Sequence, residues 1–233
     1  MGIIIHIAMT DHFSQLRLWQ LISPALPVGS YAYSGGFESA VENGWITDQQ
    51  QARQWIKDIL SSGLGRLDVP VFSRLYQACQ KCDKQQFEYW NHYLLACRES
   101  SELQLEDQQM GRALLRLMQD MDMDFPWYEQ GTNIEVSYAA MFASAAVCWQ
   151  ITETDAVHGL IWSWCENQVA AAIKLVPLGQ TAGQQILSEL ASHIPDYIEK
   201  GLALKDDEIG FTLPGLAIIS AEHETQYSRL FRS

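Results

Sequence analysis

The sequence predicts an all-α protein, a single bundle-like domain of about ten helices. Three observations carry this. Apolar residues recur at helical spacing along most of the chain, helix-capping residues precede several of these stretches, and strand-like alternation is almost absent. The 233 residues, 48% of them hydrophobic, supply one sizeable core. No linker and no internal repeat divides them, so residues 1–233 read as one domain.

In chain order, Ile3 to Ile7 read as a short strand. Thr47-Asp48 is an N-cap pair for a helix whose inner face is Ala52, Trp55, Ile56, Ile59, Leu60 and Leu64, ending near Gly63 and Gly65. Val71, Phe72, Leu75, Tyr76 and Cys79 repeat the pattern, as do Phe87, Trp90, Leu94 and Cys97. Met110, Leu114, Leu117 and Met118 close a long helix that stops before Pro126. Glu135 to Ile151 is rich in Ala and Ser, which predicts a helix packed closely at the centre of the bundle. Thr154-Asp155 caps a helix carrying Val157, Leu160, Ile161, Trp164, Val169 and Ile173, which stops at Pro177-Leu-Gly179. Gln184 to Ala191 and Pro195 to Leu204 read as two shorter helices separated by the proline.

Composition narrows the function. A net charge of −13 repels phosphate backbones and anionic lipid, which argues against nucleic-acid and membrane partners. Charged residues are 18% of the chain, and 8 Trp, 9 Tyr and 8 Phe leave apolar surface to cover. That combination suits protein interfaces. The start lacks a basic n-region, and the near-apolar run from Tyr138 to Trp149 is short of the ~20 residues of a membrane span. The expected location is the cytoplasm.

No catalytic constellation is readable. Cys79-Gln-Lys-Cys82 is a lone pair without two further zinc ligands at similar spacing. His223-Glu224 begins like a zinc-protease motif, but Tyr227 stands where the second His belongs. His158 reads as a structural histidine, and Lys174 as a lysine whose stem lies along apolar surface. Glu166-Asn167 is a polar pair in an apolar helix, suited to a buried network or to an interface. The six histidines are dispersed, so no metal site and no cofactor are expected.

Two segments break the bundle pattern. The first, Ser23 to Glu38, reads SPALPVGSYAYSGGFE. It is neither a phosphate loop, since no Gly-Lys-Ser/Thr follows, nor a hydrolase elbow, since no Gly stands two residues before Ser34. Its prolines fix φ and its glycines permit positive φ, so it reads as a shaped loop presenting Tyr31 and Tyr33. The second is Phe211 to Ser233, too apolar for an idle solvent tail, in which Leu216, Ile219, His223, Tyr227 and Leu230 make a helical stripe.

Four stretches together resemble one family. They are Leu18 to Glu38, Gln109-Met-Gly111, His158 to Gln180 and His223 to Ser233. In this order and over nearly the whole chain they are similar to the urease accessory proteins of the UreF family. Ser30 and Gly35 depart from it, standing where many relatives carry Gly and a larger polar or aromatic residue.

The resemblance implies a non-catalytic, all-α, homodimeric chaperone of nickel insertion. Such a chaperone binds the UreD (UreH) accessory protein and recruits the GTPase UreG to apo-urease. It also implies that the 211–233 tail orders on partner binding. The residues taken as partner-binding are Tyr31, Tyr33, Glu38, His223, Glu224, Tyr227, Arg229, Leu230, Phe231 and Arg232. Arg229 is expected to tie the tail to the Tyr31 hydroxyl or to loop carbonyls, its guanidinium having five donors in a fork. The alternative is a direct regulator of the GTPase, with Arg229 or Arg232 acting in trans as an arginine finger.

Overall fold

Side-chain caps set five of the helix starts. Asp48, Asp83, Ser100, Ser137 and Thr152 each accept a backbone N–H from three residues further on. The computed structural model describes residues 2–123, 125, 127, 135–210 and 212–233, with backbone alone for residues 2–11. Among the described residues there are ten α-helices and no strand. They are α1 Gly2–Leu21, α2 Phe37–Glu42, α3 Gln49–Asp58, α4 Asp68–Gln80, α5 Lys84–Ala96, α6 Ser101–Asp120, α7 Tyr138–Cys148, α8 Glu153–Leu175, α9 Gln180–Leu202 and α10 Pro214–His223.

The small residues of α7 do what their composition predicts. Every residue from Ala139 to Ala146 is buried, and α7 packs on α4, α6 and α8. The backbone entering α7 passes close to α6 at Gly111. A Cβ there would stand 2.2 Å from the Val136 carbonyl oxygen. Around this centre, α4 also packs on α5 and α9, α8 on α9, and α10 on α2 and α6.

Four expectations are corrected. Ile3 to Ile7 lie in α1, not in a strand. An isolated strand has no partner for its backbone groups, whereas a helix satisfies its own. The segment from Gln184 to Leu204 is not two helices. Helix α9 runs through Pro195, burying Ile186, Leu187, Leu190, Ile194 and Ile198 along one face, and that burial offsets the hydrogen bond proline cannot donate. The helix begun at Thr154-Asp155 starts two residues earlier, with Thr152 as its cap. The stripe from Leu216 to Leu230 is helical only to His223. Of the 211–233 tail, Phe211 lies outside the described residues.

Candidate functional site

The two segments that break the bundle pattern meet. The loop leaves α1 at Leu21, makes a 3-10 turn at Ser30–Ala32 and enters α2 at Phe37. Gly36, just before α2, has φ +82°, and a Cβ there would press on Leu216 of α10 at 3.2 Å. Helix α8 holds the loop from beneath. Asn167 Nδ2 donates to the Tyr33 carbonyl and Gln168 Nε2 to the Ser34 carbonyl, each at 3.1 Å. Tyr33 itself is buried and its hydroxyl donates to Gln109 of α6.

Residues 224–233 follow α10 and lie along this loop. The Arg232 N–H donates to the Ala32 carbonyl at 2.7 Å. Ser34 donates to the main-chain oxygen of Ser233 from its N–H at 2.8 Å and its hydroxyl at 2.5 Å. Glu38 takes the N–H groups of Leu230 and Phe231 at 2.7 and 2.8 Å. The Phe231 ring is buried, with Lys174 Nζ 5.2 Å from its centroid. The Ser233 hydroxyl donates to Glu106 of α6 at 2.6 Å.

At the centre is His223, the last residue of α10, with no exposed surface. Its Nδ1 lies 2.7 Å from Glu102 and its Nε2 3.2 Å from Glu38. Glu102 also receives Arg229 at 2.5 Å.

The expected contact from Arg229 to Tyr31 or the loop carbonyls is therefore corrected. The guanidinium bonds Glu102 and the Glu224 carbonyl instead. A charge-assisted bond to a carboxylate is the stronger one, and the loop carbonyl of Ala32 is taken by a backbone N–H.

Of the ten residues singled out, the structure brings Tyr33, Glu38, His223, Arg229, Leu230, Phe231 and Arg232 to this junction. Tyr33, Glu38, His223 and Phe231 are buried there, so they hold loop and tail together. Glu224, Tyr227, Leu230 and Arg232 are exposed, and Tyr31 is half-buried in the loop. Glu102 and Glu106 escaped sequence reasoning, and Gln109 and Gln168 entered it only as members of longer stretches, with no role of their own. Each is a polar residue on a helix with an ordinary apolar face, and only its partner in the fold gives it meaning.

A cavity of about 180 Å³ lies under the loop, walled by residues that include Leu26, Tyr31, Met110 and Trp164. Asp68, Arg98, Glu106 and Asp107 also line it. Burial pushes the Glu106 carboxyl up to about 7, with Asp107 and Glu102 adding to the rise while Ser233 and Arg98 oppose it. Among the described residues no group of three or more His, Cys, Asp or Glu is arranged to hold a metal ion. Nor is any helix long and apolar enough to cross a membrane.

The arrangement is a hydrogen-bonded clamp rather than a nucleophile beside a base. It defines a helical protein that shapes one surface from its own loop and C-terminal segment. Comparison with known proteins gives the family. Residues 46–191 match the UreF family model. The chain is 47% identical to the urease accessory protein UreF of Alkalilimnicola ehrlichii, over 94% of this chain and 96% of that protein. It is 46% identical to the UreF of Teredinibacter turnerae, over 94% and 98%, and 45% identical to that of Pseudoalteromonas translucida, over 94% of each. The chain belongs to the UreF family of urease accessory proteins.

Proposed function

We propose that this chain is a cytoplasmic, homodimeric maturation scaffold for urease. It binds the UreD (UreH) accessory protein and recruits the GTPase UreG to apo-urease, where nickel is installed. The observation that carries this reading is the likeness to urease accessory proteins along 94% of the chain. The exposed residues Glu224, Tyr227, Leu230 and Arg232, on the C-terminal segment that buried bonds anchor to the loop, are the surface assigned to recruitment.

Co-expression with UreD, UreG and apo-urease tests it. The full chain should carry the GTPase into the complex, and a chain lacking residues 211–233 should not. GTPase retained by the truncated chain, or by the complex without this chain, overturns the reading.

The second reading, direct action on the GTPase, is favoured by one observation: the Arg232 side chain is exposed while Arg229 is engaged with Glu102. Single-turnover GTP hydrolysis separates the two. A scaffold leaves the rate near its basal value, whereas an arginine finger raises it by about 10³-fold or more.

A further inference from the structure

The cavity under the loop, about 180 Å³, has a composition that selects an occupant. Its walls carry aliphatic side chains, among them Leu26, Met110 and Leu160, and three half-buried aromatic rings, Tyr31, Tyr138 and Trp164. An apolar cavity of about 150 Å³ takes a molecule the size of benzene. Among the described residues, none of 224–233 lines this one, so the site does not depend on the C-terminal segment.

The polar side of the lining is short of positive charge. Asp68, Glu106 and Asp107 bring three carboxyl groups, and Arg98 brings one guanidinium. Arg98 is engaged by two of them, bonding Asp68 at 2.6 and 3.2 Å and Asp107 at 2.8 Å. Glu106 accepts the Ser233 hydroxyl and has no ion-pair partner among the described residues. Gln168, also on the lining, is buried. Its Nε2 donates to the Ser34 carbonyl, and its Oε1 has no hydrogen-bond partner among the described residues. A buried acceptor without a donor costs free energy, which a ligand bringing N–H groups recovers. Aromatic faces attract cations as well.

Apolar walls, aromatic rings, an unpaired carboxyl and an unpartnered amide oxygen together complement an organic ammonium group. Other ligands fit less well. An anion meets three carboxyl groups, and among the described residues no group of three or more His, Cys, Asp or Glu is arranged to hold a metal ion.

We propose that this cavity binds a small primary amine in its ammonium form, with an apolar body of about one ring among Leu26, Met110 and Trp164 and its N–H groups directed to Glu106 and the Gln168 amide oxygen. Ser23, Pro24, Ser30 and Tyr31 of the loop share the lining, so an occupant braces the loop from within. The site is separate from the exposed residues assigned to recruitment, and its occupancy is independent of that role.

Benzylammonium, benzyl alcohol and benzoate share a ring and differ in charge. Each is titrated into the full chain at about pH 7.5, where the amine is protonated, while the Met110 methyl and Trp164 indole signals are followed by NMR. Benzylammonium should shift both signals and bind about tenfold more tightly than benzyl alcohol, and benzoate should not bind. Equal binding of benzylammonium and benzyl alcohol overturns the proposal, as does the absence of a shift at both signals. Magnesium alone moving the same signals reveals a site for inorganic cations and overturns it too. Glu106→Gln should bring benzylammonium down to the affinity of benzyl alcohol, and a preference that survives there overturns the proposal. Met110→Trp should fill the cavity and abolish binding of both, whereas binding that survives places the ligand elsewhere and overturns it. Because either variant can perturb the fold, the three-ligand comparison on the unaltered chain decides by itself.

Discussion

Ser34 and Ser233 lie 199 positions apart and meet through two hydrogen bonds, both accepted by the main-chain oxygen of Ser233. The Ser34 hydroxyl also accepts the Glu38 N–H at 3.2 Å, so one side chain anchors the C-terminal segment and the start of α2 together. Ser34→Ala removes both side-chain bonds. It should loosen residues 230–233 by about 1 kcal/mol while leaving the melting temperature nearly unchanged, because the core is untouched. Hydrogen exchange on those residues, set beside calorimetry, checks this.

Arg98 joins three helices. It holds Asp68 at the start of α4 with two bonds and Asp107 of α6 with a third, at 2.6 to 3.2 Å. Asp107 in turn takes the Tyr138 N–H at 2.6 Å, at the start of α7. Arg98→Ala strands two largely buried carboxylates and should lower global stability by about 3–5 kcal/mol. Arg98→Lys should recover only part, since an ammonium cannot reproduce the fork. Urea unfolding of the three proteins gives the comparison.

Gly111 is fixed by space rather than by conformation. Its missing Cβ would lie 2.2 Å from Val136 O and 2.8 Å from Ser137 C, which are backbone atoms that cannot swing aside. Gly111→Ala should therefore push α6 from α7 and cost about 1–3 kcal/mol despite alanine's better helix propensity. A gain in stability would show that the crossing yields more readily than this geometry implies.

Glu106 sets a pH dependence whose sign follows from its raised value. Its carboxyl titrates near 7 in the fold, against an ordinary 4.5, first because it is buried. Between those values the folded chain holds a proton that the unfolded chain has lost, so stability falls as pH rises through the interval and then levels. The proton sits among Ser233, Asp107, Arg98 and Glu102. Glu106→Gln should flatten this part of the profile when melting temperatures are measured from about pH 5 to about pH 8.

Much of the bundle was legible because helices announce themselves locally. Asp48 and the spacing of Ala52 and Ile56 are a cap and a face within one short stretch. The Ala- and Ser-rich run of α7 likewise carried its burial in its composition. Errors arose where a local signal was overruled from afar. The isoleucines at the start suggested a strand that had no sheet to join, and Pro195 suggested a break that packing of α9 prevents.

The junction was half legible. Both unusual segments stood out, and a tie between them was expected, but the tie uses other atoms. His223 lies 121 residues from Glu102 and 185 from Glu38, and no spacing rule reaches so far. Glu102 and Glu106 look like any acidic residues in the first turns of a helix.

The separation of Ser34 from Ser233 has a consequence for synthesis. A ribosome delivers the loop long before it delivers its counterpart, and contacts this distant in sequence close late. Until then the Ser34 and Glu38 side chains face water, and α10 has nothing to lock. The surface shared by loop and C-terminal segment thus exists only once both have been made and have met. A protein that reads this surface would therefore meet it only after its two distant halves have closed on each other.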